Sequence, residues 1–298
     1  MNELDYEFIL NDRIAKLQSI NEKYDLLNNS YIAFSGGKDS VVLHYLIDII
    51  FPNNKIPRVF ANTGIEYSLM VKFVKEMKLS DDRIIILNQT RNIPQTLREY
   101  GFPFKSKEHS LRVEQFNKGH FPNYIKRYID YNETKCFKCP KILLYQFEEI
   151  GKYNYSNKCC YKLKKDLSYK WQIENKYKIV ITGMRQEEGG NRANISCISD
   201  KGSKINPLAV ISDEWENEFI KHNNIQLCDL YYPPYNFKRT GCKGCPFNRY
   251  IQNDLETLFK FLPNEYKQCL HLWKPVYDEY IRIGYRLKEY PHLKRGDR

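Results

Sequence analysis

A six-residue run, Ser-Gly-Gly-Lys-Asp-Ser at positions 35–40, is the feature that most limits how this chain can fold. It follows a short apolar stretch, Tyr31 to Phe34, which predicts a buried strand, and it precedes an apolar stretch ending at Ile50, which predicts a helix. Two glycines let the backbone approach an anion closely, and the amides at a helix N-terminus can donate hydrogen bonds to phosphate. The segment therefore predicts a strand–loop–helix unit that binds phosphate.

This loop does not have the Walker A pattern. Ile32 occupies the position that the first glycine of that motif requires, and Asp39 follows Lys38 where Ser or Thr is required. The sequence therefore predicts a different kind of phosphate-binding loop.

Three further apolar runs predict strands, at 58–61, 83–87 and 178–181. A helical pattern separates the first two of these runs. Such alternation predicts an α/β fold with a Rossmann-like, doubly wound and mainly parallel sheet. Ligands of these sheets bind at the carboxyl ends of the strands, where the loops after Phe34, Ala61 and Ile181 are expected to converge.

The remaining segments indicate a domain organisation. Apolar residues at helical spacing predict an N-terminal helix within 1–28, followed by a nucleotide-binding α/β domain over 29–205. An aromatic and basic stretch at about 100–158 lacks clear periodicity and is expected to be an insert. The C-terminal region, 206–298, contains a Cys-x-x-Cys pair and becomes helical at about 255–287.

The composition favours an anionic partner and a cytoplasmic protein. Lys and Arg total 47 against 36 Asp and Glu, which gives a net charge of +11 and favours nucleotide or nucleic acid, although the excess also fits a chain that is rich in lysine throughout. The acidic N-terminal residues lack the pattern of a signal peptide, and no stretch reaches the ~20 apolar residues of a membrane span. Nine cysteines in a reducing compartment are not expected to form disulfides.

Two cysteine pairs, far apart in the chain, are candidate metal ligands: Cys159 with Cys160, and Cys242 with Cys245. Four thiolates suit either a tetrahedral Zn²⁺ or a [4Fe–4S] cluster. Adjacent cysteines favour the cluster, because neighbouring side chains usually diverge and a cluster offers them separate corners.

The other cysteines have weaker patterns. Cys136 and Cys139 form a further Cys-x-x-Cys pair, which could be a separate zinc site, could replace Cys159 or Cys160 as a cluster ligand, or could consist of reduced surface thiols. Three isolated cysteines are expected to be small buried hydrophobes: Cys197, Cys228 and Cys269.

The loop at 35–40 resembles SGGxDS, the signature of the PP-loop ATP pyrophosphatase (adenine nucleotide alpha hydrolase) superfamily. Members of this superfamily cleave ATP between the α and β phosphates, and commonly adenylate a substrate. Two later segments, 61–66 and 182–192, resemble the DTG-x-E and G-x-R-x-x-E…R segments of members that are similar to phosphoadenosine phosphosulfate (PAPS) reductase. Asn62 replaces the usual Asp of the first segment.

This resemblance implies a binding site for ATP and Mg²⁺. Lys38 would offset phosphate charge and Asp39 would help to hold Mg²⁺, which makes these two the candidate catalytic residues. The full set of implied nucleotide-binding residues is Ser35, Gly36, Gly37, Lys38, Asp39, Ser40, Asn62, Thr63, Gly64, Glu66, Gly183, Arg185 and Arg192.

The cysteine layout resembles that of adenylyl-sulfate (APS) reductases, which have a [4Fe–4S] cluster beside the nucleotide site. The shared pattern is Cys-Cys-x-x-x-Lys, ending at Lys164, followed much later by Gly-Cys-x-x-Cys from Gly241. Asn206-Pro207-Leu208 and Trp215 resemble the N-P-L…W segment of the same family. The resemblance implies that Cys159, Cys160, Cys242 and Cys245 hold the cluster.

Two reactions and one binding role remain open. Sulfonucleotide reductases use a cysteine in a C-terminal E-C-G-[LI]-H motif, whereas the segment 268–271 lacks both the Glu and the Gly. The complete loop and the four cysteines are similar to DndC-like ATP pyrophosphatases of DNA phosphorothioation, which implies adenylation for sulfur transfer to DNA or another nucleic acid. The first alternative is a PAPS or APS reductase of sulfate assimilation that releases sulfite, and the second is a non-catalytic nucleotide- or nucleic-acid-binding module.

The favoured reaction implies three partners and no membrane. They are an adenine nucleotide, a nucleic-acid acceptor and a sulfur-donor protein such as a cysteine desulfurase. Four lysines around the first cysteine pair would favour a polyanionic acceptor, and they also fit a solvated helix face: Lys158, Lys162, Lys164 and Lys165.

Overall fold

The structure, a computed structural model, describes residues 2–132 and 138–293. The chain divides into two compact units, and each unit is built from two stretches of sequence. The first unit comprises Met1–Gln89 and Leu167–Gly241, and the second comprises Thr90–Asp166 and Cys242–Arg298. In the described part of the chain, no helix is both long and apolar enough to cross a membrane.

Six strands of the first unit form one sheet. They are β1 Ser30–Phe34, β2 Arg58–Asn62, β3 Ile84–Asn88, β4 Ile179–Ile181, β5 Ile198–Ser199 and β6 Lys204–Ile205. Their order across the sheet is β3-β2-β1-β4-β6-β5, and the neighbours are parallel apart from β5 with β6. The predicted α/β fold with a mainly parallel sheet is confirmed.

The direction of strand addition changes at β1. The chain moves outward from β1 to β2 and β3, and it later returns to add β4 on the other side of β1. In such sheets the ligand crevice lies beyond the carboxyl ends of the strands at this point of reversal. The loops after β1 and β4 therefore occupy the expected binding position.

Helices occur in both units. They are α1 Glu3–Tyr24, α2 Leu26–Asn29, α3 Lys38–Ile50, α4 Ser68–Ser80, α5 Ile93–Tyr100, α6 Lys107–Asn117, α7 Asn123–Ile129, α8 Lys158–Cys160, α9 Asp166–Glu174, α10 Asp213–His222, α11 Ile251–Phe261 and α12 Pro263–Arg282. A π-helical turn, Tyr161–Lys165, separates α8 from α9. The predicted helical C-terminal region is confirmed by α11 and α12.

Apolar side chains of β1 and α3 form the centre of the first unit. Ile32 and Phe34 of β1 are buried, as are Val42, Leu43 and Leu46 of α3. Burying an aliphatic side chain of this size stabilises the fold by about 1.5–3 kcal/mol relative to leaving it exposed. Both ends of the loop that joins β1 to α3 are therefore fixed by the core.

Candidate functional site

Two serines close the loop between β1 and α3. The hydroxyl oxygens of Ser35 and Ser40 lie 3.0 Å apart, and the Ser35 amide donates to Oγ of Ser40 at 3.2 Å. The Gly37 amide donates to Oγ of Ser35 at 3.3 Å, while its carbonyl accepts a hydrogen bond from Oγ of Ser40 at 2.8 Å. Ser40 thus holds the loop against the first turn of α3.

Gly36 packs this loop against α4. Its φ is +72°, in the left-handed region that favours glycine. A Cβ at this position would lie 2.4 Å from Sδ of Met70 and 2.8 Å from Cγ2 of Val74. Both side chains are buried, so the position has room for glycine alone.

Gly36→Ala is expected to lower the free energy of unfolding by about 2–4 kcal/mol, because left-handed strain adds to the displacement of a packed core. Gly119→Ala is the matched control. Gly119 has nearly the same φ, +73°, but an added Cβ would meet nothing within 4 Å, so its loss is expected to be only about 1 kcal/mol. Urea denaturation of both variants measures the difference, and equal losses would show that the packing against α4 is unimportant.

Lys38, the first residue of α3, forms an ion pair with a buried glutamate. Its Nζ lies 2.8 Å from Oε2 of Glu216, a fully buried residue of α10. Burial and the nearby charge of Asp39 raise the pKa of Glu216, against the opposing effects of Arg185 and Lys38. The backbone amide of Lys38 donates to Oη of Tyr231 at 2.9 Å. The ammonium group is therefore held in place at the N-terminal end of α3.

Arg185, in the loop after β4, joins this cluster. Its Nε lies 2.6 Å from Oδ1 of Asp39, and its Nη2 lies 2.5 Å from Oδ1 of Asp213 and 3.2 Å from Oε2 of Glu216. Burial opposes the charged form, but the carboxylates of Glu216 and Asp39 outweigh it and raise the pKa of Arg185. The structure thus brings Lys38, Asp39 and Arg185 into one charged group.

Two other predicted residues of this loop lie close to Asp39. Gly183 is packed against its backbone, since a Cβ on Gly183 would lie 2.8 Å from the Asp39 carbonyl oxygen. Arg192 is ion-paired with Glu188, which is also paired with Arg239. Burial lowers the pKa of Arg192 and the charge of Asp39 acts in the opposite direction, so Arg192 lies within electrostatic reach of Asp39.

The loop after β2 forms a separate hydrogen-bonded turn. The Thr63 amide and hydroxyl both donate to Oε2 of Glu66 at 2.8 Å. The side-chain amide of Asn62 donates to Oδ1 of Asn88 at 2.9 Å. Asn62, Gly64 and Glu66 line part of an open depression of about 560 Å³ beside α4. Because β1 and β2 are parallel neighbours, this turn lies at the same edge of the sheet as the loop at 35–40.

Sequence reasoning missed the residues that support the loop from α10 and the segment after it. Asp213 and Glu216 lie in the first turns of a helix whose N-cap, Ser212, accepts a hydrogen bond from the Trp215 amide at 3.1 Å. Acidic residues are common there for their effect on helix stability alone, so the pattern does not single them out. Tyr231, which also lies 2.6 Å from Oγ1 of Thr240, has no sequence signal at all.

The four predicted metal ligands all belong to the second unit. A hydrogen bond with Cys160 and burial raise the pKa of Cys159, and the charges of Cys245 and Cys242 raise it further. Burial raises the pKa of Cys245 as well, and the charges of Cys242 and Cys160 raise it further. The fold therefore brings two distant cysteine pairs within electrostatic reach of each other.

These cysteines do not form a ready-made site for a single ion. Within residues 2–132 and 138–293, no three or more His, Cys, Asp or Glu side chains converge as they would around a metal ion. A hydrogen bond from Cys159 lowers the pKa of Cys160, and three lysines lower it further: Lys107, Lys164 and Lys165. The site therefore places positive charge beside the thiols.

Side chains of helix α12 hold the Cys242–Cys245 loop in place through hydrogen bonds. Three of its aromatic side chains donate hydrogen bonds to carbonyls of this loop and its continuation: Trp273 to Lys243 at 3.0 Å, Tyr277 to Gly244, and Tyr280 to Pro246 at 2.8 Å. Gly244 has a φ of +61°, and a Cβ there would lie 2.6 Å from Sγ of Cys269. The loop has little freedom to move away from the helix.

The remaining cysteines differ from one another. Cys269 and Cys228 are buried, as predicted, whereas Cys197 is only partly buried. Cys139 is fully buried and burial raises its pKa to about 11, so of the three alternatives for this pair, that of reduced surface thiols is wrong for Cys139. Its predicted partner, Cys136, lies outside the described residues.

Two solved structures are similar to this chain at low identity. The phosphoadenylyl-sulfate (PAPS) reductase from Candida auris, in a phosphate complex, is 15% identical with a TM-score of 0.45, and the match covers 81% of this chain and 96% of that one. The U34-tRNA thiolase NcsA from Methanococcus maripaludis, with its [4Fe–4S] cluster, is 16% identical with a TM-score of 0.38, over 91% of this chain and 79% of that one.

Sequence comparison gives a relative and a family. Uncharacterized protein MJ0973 of Methanocaldococcus jannaschii is 24% identical over 94% of this chain, which spans 59% of the length of that relative. Residues 29–248, most of the chain, match the family described as the phosphoadenosine phosphosulfate reductase domain. The chain belongs to the phosphoadenosine phosphosulfate reductase domain family.

Proposed function

We propose that this protein is an ATP pyrophosphatase that adenylates a substrate for sulfur transfer to nucleic acid. The observation that supports this most strongly is the complete loop at 35–40, placed between β1 and α3 where the direction of strand addition changes. Lys38 and Asp39 lie there in one charged cluster with Arg185. Glycines, a helix N-terminus and a fixed lysine are the groups that a triphosphate needs.

The proposed reaction is an attack on the α phosphorus of ATP. An oxygen of the acceptor bonds to this phosphorus, the bond to the bridging oxygen of the β phosphate breaks, and pyrophosphate leaves with the electron pair. Lys38 would stabilise the charge that develops on the leaving group. A sulfide-level nucleophile from the sulfur donor then replaces the activated oxygen and releases AMP.

Different loop residues would bind the phosphates of ATP and the Mg²⁺ ion. Ser35, Ser40 and the loop amides would bind the phosphates of ATP, and the oxygen ligands that Mg²⁺ prefers would come from Asp39 and the phosphates. Asp39 is ion-paired with Arg185, and Lys38 with Glu216. We therefore expect binding of Mg·ATP to exchange these internal ion pairs for pairs with the ligand.

We also propose that Cys159, Cys160, Cys242 and Cys245 hold a [4Fe–4S] cluster. Cys159 and Cys160 are adjacent in the chain, and neighbouring side chains usually diverge, so the four thiols fit the separate corners of a cluster better than a single Zn²⁺. The lysines beside Cys160 would offset the negative charge of four thiolates. When bound, the cluster would supply a place to hold sulfur.

Anaerobically purified protein is expected to be brown, with broad visible absorbance and about four irons per chain. Cys160→Ser is expected to lose most of this absorbance, because it removes one of four ligands. Cys197→Ser is the matched control, since Cys197 lies in the first unit and is not among the four. Colourless parent protein with one zinc per chain would overturn the cluster assignment.

The family membership favours a second candidate, a PAPS or APS reductase. This enzyme would need a cysteine that can reach the sulfur of the nucleotide. Cys269, in the segment most similar to the reductase motif, lies inside α12, is fully buried, and has its pKa raised by burial to about 12. It is poorly placed to be a nucleophile.

One pair of assays separates the candidates. Pyrophosphate release from Mg·ATP is measured beside sulfite release from PAPS and APS with reduced thioredoxin. Pyrophosphate without sulfite supports the proposed function, and sulfite without pyrophosphate supports the reductase. Nucleotide binding with neither product would support a non-catalytic module.

A further inference from the structure

A shallow depression lies on the second unit between the end of α6 and the start of α7. Its volume is about 450 Å³, and it is lined by Gln115, Lys118, His120, Phe121, Pro122 and Tyr124. We propose that this depression, with the adjoining residues to 127, binds single-stranded nucleic acid; we name it the α6–α7 surface. The proposal rests on the proposed function only in identifying the bound strand as the acceptor of sulfur.

Two aromatic rings of this surface are partly exposed and yet held in place. Phe121 is 40% exposed and Tyr124 is 43% exposed. The ring of Phe121 lies 5.5 Å from that of the buried Phe116, and the hydroxyl of Tyr124 donates to Gln115. Nucleobases stack on rings that are fixed on one side and accessible on the other, and they do so with little dependence on sequence.

Positive charge surrounds these rings. Residues 115–129 contain three cations, Lys118, Lys126 and Arg127, and no carboxylate. The ammonium of Lys126 lies 6.0 Å from the centre of the Phe121 ring. A phosphate backbone that follows the bases across the rings would therefore meet cations.

The positive charge continues from the end of α6 to Lys158, at the start of α8. Glu114 is paired with both Lys118 and Lys158, so that one carboxylate is shared by two lysines. Lys158 begins the basic segment that includes Lys162, Lys164 and Lys165. An apolar peptide would not need these cations, and an acidic peptide would not need the exposed rings, whereas a single strand of nucleic acid uses both.

The test is binding of fluorescently labelled single-stranded RNA and DNA oligonucleotides to the full-length anaerobic protein, without ATP. The double variant Phe121→Ala, Tyr124→Ala is expected to bind at least about tenfold more weakly, because each lost stacking contact changes affinity by about 5- to 150-fold. Phe259→Ala is the matched control: Phe259 is 45% exposed, but it lies on α11 near Asp254 and Glu256. Its affinity is expected to stay within twofold of the parent.

A charge variant tests the phosphate contacts separately. Lys126→Gln is expected to reduce the slope of log affinity against log salt by about 0.7, the value for one lost contact with a single strand. Lys274→Gln, which removes the same charge from α12, is expected to leave the slope unchanged. Comparison of the RNA and DNA arms identifies which strand is preferred.

Three results would overturn the proposal: no binding of either oligonucleotide by the parent, equal weakening by the Phe259 control, or full binding by the double variant. If the parent binds no oligonucleotide but captures a purified protein partner in a Phe121-dependent way, the surface docks protein instead.

Pyrophosphate release distinguishes the two proposals. A parent that binds RNA or DNA here without releasing pyrophosphate refutes the proposed function alone, and a parent that releases pyrophosphate with unchanged binding in the variants refutes the surface alone.

Discussion

Lys38→Ala is expected to reduce pyrophosphate release from Mg·ATP by about 10²- to 10³-fold, which is the usual cost of removing one donor that stabilises developing charge. The lysine stands at the first position of α3, and its ion pair with Glu216 fixes the ammonium there. No neighbouring lysine in the loop at 35–40 can take its place. The effect should therefore fall on the chemical step and on ATP affinity together.

The control for this variant is Lys221→Ala on α10. Lys221 is 70% exposed, and the one ion pair described for it is with Glu218, so its removal should leave pyrophosphate release within twofold. A thermal melt of both variants shows whether they fold. Because Lys38→Ala leaves Glu216 with one cation fewer, Lys38→Arg is assayed as well, and it should retain the fold with reduced activity. Full activity in Lys38→Ala would mean that the loop is not the phosphate site.

Arg185→Met is expected to lower the free energy of unfolding by about 3–5 kcal/mol. The side chain is only 5% exposed and lies within ion-pair distance of Asp39, Asp213 and Glu216. Methionine would fill much of the volume but would leave the fully buried Glu216, and the partly exposed Asp39, without this cation. The loss should therefore exceed that of any exposed ion pair.

Arg239→Met provides the comparison. Arg239 is also ion-paired, with Glu188, but its side chain is 59% exposed, and Glu188 keeps a second ion pair with Arg192, so the loss is expected to be at most about 1 kcal/mol. Urea denaturation of the two variants at neutral pH measures both losses. If Arg185→Met lowers the free energy of unfolding by no more than Arg239→Met does, then Arg185 is not the cation that holds the cluster of carboxylates together.

The strands that sequence reasoning found are those with continuous apolar runs. The runs at 58–61, 83–87 and 178–181 correspond to β2, β3 and β4. Strands that are covered on both faces are apolar along their length, as β2 is from Val59 to Ala61, whereas β3 lies at the edge of the sheet and buries only Ile84. The strands β5 and β6 have two residues each, which is too short for any period. Their pairing is decided by the fold and not by local pattern.

The helices of the predicted insert were not assigned, and their composition explains this. Helix α6 buries His109 and Ser110, which are polar, so its inward face does not show the apolar spacing of an amphipathic helix. Both ring nitrogens of His109 have hydrogen-bond partners inside the protein: Nδ1 lies 2.9 Å from Oη of Tyr128, and Nε2 lies 2.8 Å from Oε1 of Gln146. Partners of this kind come from distant positions that spacing cannot reveal.

The part of the candidate site that could be predicted from the sequence is the part formed by one continuous segment. The loop at 35–40 is one segment, and its position between a strand and a helix is a local property. Glu216 and Tyr231, which orient Lys38, come from segments more than 170 residues away in the chain. The sequence likewise contains both cysteine pairs, but only the fold places them in the same unit.

The proposed ATP pyrophosphatase activity is tested most directly by following ATP that is labelled at its α phosphate. The labelled ATP is incubated with anaerobic protein, Mg²⁺ and single-stranded nucleic acid. We expect the label to appear in AMP or on the nucleic acid, with an equal amount of unlabelled pyrophosphate. Lys38→Ala is expected to lower both products by about 10²- to 10³-fold. Label in ADP, with release of inorganic phosphate, would show cleavage at the other phosphate bond. That result, or unchanged ATP beside sulfite release from PAPS or APS, would show that the protein is not an ATP pyrophosphatase.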